Sequence, residues 1–456
     1  MEMAQNIIIW VITVVGLINF LHLGLYISGA NIYDIMRFVR TNKRKETLGG
    51  EPFTPHVTVL IPAHNEQLGV IRTIETVRNN TYKNLSIVVI DDASTDNTAQ
   101  LVRDYIVQSS SRTAGRMVRR DGKYMREYYR ENNSMPPICL LAREKNGGKA
   151  AGLNYALTHA VTGGLTMTLD ADSSLAPDAI ANAVAYFKDE RVVGVGANVQ
   201  IMEQHTILGL LQKFEHMIGY RSKKFYTLTN SEFIIGGVAS TYRYSTLKEV
   251  GFYDTDTVTE DIGLSMKIVH GGNKDQRIIY APDVVASTEG VQSFKALFKQ
   301  RYRWKLGNIQ NLVKYRSMFG DSSSKYSRTL TFYRIPMAFI SEVILMLQPF
   351  ILAYIIYLSI THHTAGLLLG GYLTITMYVL WNLWPDENHG LLHKLRLSLY
   401  APGMYFCFFI MDAVQIAAIF RLLANLRQLT DKRDRTATWI SPQRVGNVLP
   451  VMATRV

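Results

Sequence analysis

LSIVVIDDASTDNT occupies residues 85–98. Its first six residues are mostly aliphatic and β-branched, the composition of a buried strand. They run straight into two carboxylates, Asp91 and Asp92, and then into turn formers. Two similar runs flank it, HVTVLI at 56–61 and LTMTL at 165–169, and helical stretches such as Leu68–Asn79 lie between them. Strands alternating with helices imply an α/β domain, a mostly parallel sheet covered by helices. In such sheets ligands bind beyond the carboxyl ends of the strands. Asp91 and Asp92 fall at one such end, and Asp170 and Asp172 (LDADSS, 169–174) at another. Two acids two residues apart point to the same side of an extended chain.

Outside this domain the chain is apolar. Charged residues make up only 19% of the 456, below the quarter usual for soluble proteins. Four runs account for the deficit: Asn6–Ala30, Ile335–Ile360, Ala365–Leu383 and Leu397–Phe420. Each approaches or exceeds the ~20 residues that cross a bilayer as a helix, which implies an α-helical transmembrane bundle. The first run lacks the basic start of a cleaved signal peptide. It is followed by Arg37, Arg40, Lys43, Arg44 and Lys45. The positive-inside rule then puts the amino terminus outside and the central region in the cytoplasm. Four crossings would leave the carboxyl terminus outside, whereas Arg421, Arg427, Lys432, Arg433 and Arg435 argue for inside.

The net charge of +12 suits contact with acidic membrane lipids. No nucleic-acid-binding motif accompanies it. Two cysteines, Cys139 and Cys407, are too few for a disulfide framework. The stretch 108–137 is rich in arginine and reads as a solvated insertion, or as a contact for lipid headgroups or a partner. Between Ser293 and Phe319, Phe294, Phe298, Tyr302, Leu306, Ile309 and Val313 recur at helical spacing among basic residues. That pattern belongs to an amphipathic helix, in the membrane interface or packed on the domain. The resulting division is 1–45 anchor and basic linker, 46–290 cytoplasmic domain, 291–325 interfacial helix, 326–430 membrane helices and 431–456 basic tail.

Six motifs occur in order: IPAHNE (61–66), IDDASTDNT (90–98), NGGKAAGLN (146–154), LDADSS (169–174), TED (259–261) and QRYRW (300–304). Together they resemble the processive family 2 glycosyltransferases, the group containing cellulose, chitin, hyaluronan and poly-N-acetylglucosamine synthases. The resemblance implies a type A glycosyltransferase domain, a UDP-sugar donor, a growing polysaccharide acceptor and Mg2+ or Mn2+. It also implies multi-pass placement in a bacterial plasma membrane, with a small accessory membrane subunit as a candidate partner. Glu66, Asp92 and, beside it, Asp91 resemble the nucleobase and ribose contacts, and Lys149 the cation near the nucleotide. Asp170 and Asp172 resemble the metal-binding pair, with Asp172 the favoured ligand. Asp261 resembles the catalytic base, with Glu260 beside it in TED. Gln300, Arg301, Arg303 and Trp304 resemble the motif that marks processive members.

Chemistry supports these assignments. A departing diphosphate needs a cation, and one or two carboxylates suit Mg2+ or Mn2+. The acceptor hydroxyl needs a base. Arg301 and Arg303 can offer fixed donors to a diphosphate, and Gln300 and Trp304 can hold the acceptor. VTEDIGLS, FKQRYRW and ATWISPQR (437–444) are most similar to bacterial poly-β-1,6-N-acetylglucosamine synthases. The chain departs from them at Lys305–Leu306, where Ala-Gln is usual, and at Gly236, where serine is common. Cellulose-, hyaluronan- or chitin-type synthesis, single transfer to a lipid carrier, and an inactive membrane scaffold are the competing readings. Glu342 and Asp412 lie within predicted spans. Such acids either line a path for the product or reach water at an interface.

Overall fold

The computed structural model describes residues 2–46, 53–108, 113–120, 123–130, 136–202, 206–363 and 365–430. A long helix, α1 (Glu2–Glu46), leads into the central domain. There β1 (Val57–Ala63), α2 (Val70–Arg78), β2 (Leu85–Asp91) and α3 (Thr98–Gln108) precede a hairpin of β3 (Thr113–Arg120) and β4 (Lys123–Arg130). Next come β5 (Ile138–Ala142), α4 (Gly148–His159), β6 (Leu165–Thr168), β7 (Ser173–Leu175) and α5 (Ala179–Tyr186). The domain closes with β8 (Val192–Ile201), α6 (Ile207–Leu228), β9 (Ser240–Arg243), α7 (Tyr244–Glu249), α8 (Glu260–Gly271) and β10 (Arg277–Thr288). Beyond it lie α9 (Phe294–Lys314), α10 (Ile335–Thr361), α11 (Gly366–Leu383), α12 (Leu391–Leu423) and a short turn, α13 (Arg427–Thr430).

The strands form one mixed sheet in the order β3-β4-β5-β2-β1-β6-β9-β8-β10-β7. Its centre, β5-β2-β1-β6, is parallel, as is the β8-β10 pair. β9, β7 and the hairpin run antiparallel to their neighbours. The two-residue period of the strands divides the core. Val57, Val59 and Ile61 of β1 join Leu85, Ile87 and Val89 of β2 against α2, α3 and α5. Leu60, Val88 and Ile90 face the other way, onto Leu153 and Leu157 of α4 and Leu264 and Ile268 of α8. Each such side chain contributes about 1.5–3 kcal/mol on burial, so these central strands are a rigid base for whatever their ends carry.

The basic stretch 108–137 is not a simple solvated insertion. β3 pairs with β4, and β4 adds to the sheet edge with Tyr128 opposite Leu140 of β5. The sequence held the signal, an Asp-Gly dipeptide at 121–122 between two runs of strand formers. The side chains of its arginines lie outside the described residues, as do the basic tail and the ATWISPQR segment.

Three helical segments, at Ile9–Val39, Leu330–Thr361 and Leu391–Leu423, are long and apolar enough to cross a membrane. Only 6%, 11% and 22% of their most apolar windows are buried, so their apolar surface faces outward, as lipid contact requires. The third expected run, within α11, keeps a shorter apolar stretch, Leu368–Leu383. α12 also stays close to the domain. Leu397, Ala401 and Met404 pack on Phe214, and Met411 packs on Leu208 and Leu211, all three partners on α6. Past its end, Gln428 touches α9.

α1 is tied to the domain by charge. Asp34 accepts from Arg221 (3.0 Å) and Lys224 (2.5 Å) of α6, both buried. Arg221 also donates to Asn31, and Arg37 pairs with Asp283 at 3.4 Å and Glu387 at 2.9 Å. Removing one member of a buried pair leaves the other uncompensated, at a cost of about 3–5 kcal/mol. Asp34→Ala is therefore expected to lower the thermal midpoint of the detergent-solubilised protein, and Asp34→Asn to lower it less.

Candidate active site

Parallel pairing aims the carboxyl ends of β1, β2, β5 and β6 the same way, and the motif residues collect there. Asp92 does not face open space. It accepts from the Gly148 N–H at 2.7 Å, from the Gly147 N–H at 3.2 Å and from Arg143. It thereby fixes the entry to α4, where Gly148 has φ +82°, a conformation that suits glycine. Asp91 is the freer of the two. Its Oδ2 receives the Ser94 N–H at 3.3 Å, while its buried Oδ1 has no partner. Burial pushes its pKa above the usual carboxylate value despite the bonds to Ser94. Glu66 lies buried close by, its N–H donating to Thr98 Oγ1 at 2.9 Å. His64, with Asn146 at 3.2 Å, borders the same loop and was not singled out in the sequence.

Lys149 joins two motifs far apart in the chain. Its ammonium lies 2.6 Å from Asp170, beyond β6, and 3.2 Å from Glu260, at the start of α8. Burial disfavours the charged lysine, but Asp170, Glu260 and Asp261 outweigh it and hold the pKa above the ordinary value. Asp261 shares this cluster. Burial and the neighbouring Glu260 carboxylate raise its pKa, Lys149 and Arg303 oppose them, and the balance is about 6. Asp172 is buried, with Ser173 Oγ at 3.2 Å and Thr288 Oγ1 at 3.5 Å on its two oxygens.

Arg303 acts on Asp261, but Arg301 is engaged elsewhere. Arg301 is 4% exposed, pairs with Glu215 of α6 at 2.6 Å, and lies 4.1 Å from the centre of the Trp304 ring. Of the two arginines expected to offer donors to a diphosphate, Arg301 thus has one guanidinium nitrogen on Glu215 and its plane near the indole. Gln300 Oε1 is buried without a partner. Of the six apolar residues expected to line one face of α9, only Leu306 is fully buried. The inward face also carries Arg301, Gln310 and Asn311, a polar face set against Glu215 of α6, the loop before α8, and α13.

α6 contributes groups that the sequence reading missed. Lys223 donates to the Ile234 carbonyl at 2.9 Å, and both it and Tyr220 feel the charge of Asp261. His216 contacts the Val199 carbonyl through Nδ1 at 3.2 Å, and burial takes its pKa down to about 4, so it is neutral. No spacing rule announces these residues. They are recognised only once α6 is seen to run close to Asp261.

Comparison with known proteins gives the family. Residues 58–251 match the family described as Glycosyl transferase family 2, and residues 165–384 match Glycosyl transferase family group 2. The chain belongs to glycosyl transferase family 2. Poly-beta-1,6-N-acetyl-D-glucosamine synthase of Staphylococcus aureus (strain COL) is 30% identical over 303 residues, 66% of this chain and 65% of that one. The enzyme of the same name from Staphylococcus epidermidis is 30% identical over 261 residues, 57% of this chain and 56% of that one. The chain thus spans somewhat under two thirds of the length of these relatives. Among solved structures, a mannosyltransferase from Pyrobaculum calidifontis is 20% identical, with a TM-score of 0.48 over 88% of this chain and 99% of that one.

The glycine pair ahead of β9 tests the geometry. A Cβ at Gly237 would lie 2.9 Å from Lys149 Nζ and 3.5 Å from Asp261 Oδ2, whereas one at Gly236 meets nothing within 4 Å. Gly236→Ser should leave the rate of sugar transfer unchanged. Gly237→Ala should lower it by displacing the ammonium, with the thermal midpoint preserved.

Proposed function

We propose that the protein is a membrane-bound, processive β-glycosyltransferase that polymerises a UDP-sugar, UDP-N-acetylglucosamine, into an exopolysaccharide with inversion at the anomeric carbon. The observation that carries this reading is the Lys149 bridge, which brings a strand-end carboxylate and the TED acids into one cluster beside the QRYRW helix. The names of the staphylococcal relatives support the choice of sugar.

The donor's nucleoside lies along Glu66 and Asp91. Asp91 takes the ribose contact expected of Asp92, because Asp92 is occupied with Arg143 and the α4 entry. Lys149 and Arg303 face the diphosphate. Asp170 and Asp172, with the Ser173 and Thr288 hydroxyls alongside, form an all-oxygen set. Such a set suits Mg2+ or Mn2+, ions that take one or two carboxylates and complete their shell with phosphate oxygens and water. When bound, the ion neutralises charge on the departing UDP. Asp261 removes the proton from the acceptor hydroxyl. The hydroxyl oxygen forms a bond to the anomeric carbon as the bond from that carbon to the diphosphate oxygen breaks. Trp304, steadied by Arg301 and Glu215, offers its other face to the acceptor sugar.

The arrangement of the membrane helices supports a cytoplasmic active site. Since Gln428, past α12, returns to α9, Arg421 and Arg427 beside it lie on the side of the catalytic domain. This relieves the conflict between four crossings and the basic carboxyl end. Glu342 of α10 accepts from Lys305 at 2.6 and 2.7 Å, and Asp412 of α12 feels Lys305 and Glu215. These acids extend a polar track from Trp304 toward the membrane, suited to passing a polysaccharide outward. Glu342→Gln combined with Asp412→Asn should reduce secreted polymer while UDP release persists.

The decisive experiment supplies purified protein with single UDP-sugars and Mg2+ or Mn2+, and measures UDP release and product size. A ladder of long products from UDP-N-acetylglucosamine is expected, and a product of one added sugar would instead mean a single-transfer enzyme. Asp261→Asn should lower turnover by about 10²–10⁴ with nucleotide binding intact. Because Asp261 must be ionised to act, turnover should fall as pH drops through about 6. Lys149→Met removes a charge that holds this pKa down, so the acid limb of its profile should move to higher pH.

A further inference from the structure

The loop that presents Glu260 and Asp261 is held from behind by α9. A Cβ at Gly307 would lie 2.2 Å from Thr259 Oγ1, so glycine permits this approach of helix to loop. Asn311, fully buried, donates to Thr259 Oγ1 at 3.3 Å and to the Gly307 carbonyl at 2.9 Å. Gln310 is also buried, and both ends of its amide are in use. Its Oε1 accepts the Val258 N–H at 3.2 Å, and its Nε2 donates to the Gln428 carbonyl at 2.9 Å.

Gln428 belongs to α13, after the last long helix. Its side-chain Oε1 accepts the Tyr302 hydroxyl at 2.7 Å. Just before it, Arg421 lies 4.8 Å from the centre of the Tyr302 ring and 5.7 Å from that of Phe298. One residue near the distal end of the described chain therefore reaches, through one amide, the backbone two and three residues before the TED acids. Through its own side chain it reaches the centre of QRYRW. A buried amide with both ends bonded has a single satisfied orientation, and loss of either partner leaves a polar group unpaired.

We propose that α13 is a positioning element of the active site, acting through Gln310 and Tyr302 to fix the loop that presents Asp261 and the helix that presents Trp304. Transfer then depends on the seating of the segment that follows α12. The seating can change with the membrane helices, so the device couples their arrangement to the chemistry. The consequence for turnover rests on the transferase reading, whereas the consequence for the loop does not.

The test uses the full chain in detergent and reads hydrogen exchange at the amides of 257–262 beside turnover. Gln310→Glu keeps an acceptor for Val258 but loses the donor to Gln428. Exchange at 257–262 should rise about threefold to tenfold, the range expected for one lost hydrogen bond, with β1 and β2 unchanged. Tyr302→Phe and Gln428→Ala should each lower kcat with little change in donor KM, and the double variant should lose no more than either alone. Unchanged exchange in Gln310→Glu, or additive losses in the double variant, would overturn the proposal. Failure of the wild type to turn over any UDP-sugar would remove the transferase reading but leave the exchange result to decide on α13.

Discussion

The ammonium of Lys149 is the contact on which the site depends. It sits where three negative groups converge, Asp170, Glu260 and Asp261, and none of the three is adjacent to another motif in the chain. Without a cation among them, burial and mutual repulsion would drive at least one to take up a proton. With it, Asp170 has a cation 2.6 Å away at the end of β6, and Asp261 is held near the pH at which a base can both accept and release a proton. Lys149 stays in reach because the entry to α4 is pinned by Asp92 through the Gly147 and Gly148 amides. The chain of dependence runs from the sheet to Asp92, to the glycine turn, to Lys149 and only then to the acids that do chemistry.

A second constraint comes from α6. This helix holds Asp34 of α1 through Arg221 and Lys224, receives α11 and α12 on Phe214, and offers Glu215 to Arg301. It is the shared surface between the membrane helices and the sugar-handling domain. A movement of α1 or α12 is therefore felt at Arg301 and, through the 4.1 Å stack, at Trp304. In this architecture the membrane helices and the candidate active site are parts of one packed unit.

The strands were legible because their signal is local. HVTVLI, LSIVVI and LTMTL are short aliphatic runs ended by turn residues, and each became a central strand within one or two residues of the expected bounds. The motif acids were legible because their residue types and order are uncommon. The pairing of β4 with the sheet edge was not foreseen because the arginines of 108–137 were weighed above the Asp-Gly dipeptide between the two runs. α9 was read as an amphipathic helix, correctly as to helix, but its inward face is polar as well as apolar. The hydrophobic period could not reveal that Arg301, Gln310 and Asn311 would be buried, since their partners, Glu215, Val258, Thr259 and Gln428, lie 52 or more residues away in the chain.

By itself, then, the sequence determined the kind of domain, the positions of its central strands, the apolar helices and the set of candidate acids, because each is written in composition or spacing within a few residues. Tertiary structure decided the rest. It separated Asp91 from its neighbour Asp92, set Arg301 on Glu215, drew Lys149 between Asp170 and Glu260, and brought Gln428 back, through Gln310, to the loop before Glu260. The physical reason is the same in each case. Which of two equivalent polar groups is free, and which is consumed in holding the fold, depends on partners that only packing brings within about 3 Å, the reach of a hydrogen bond.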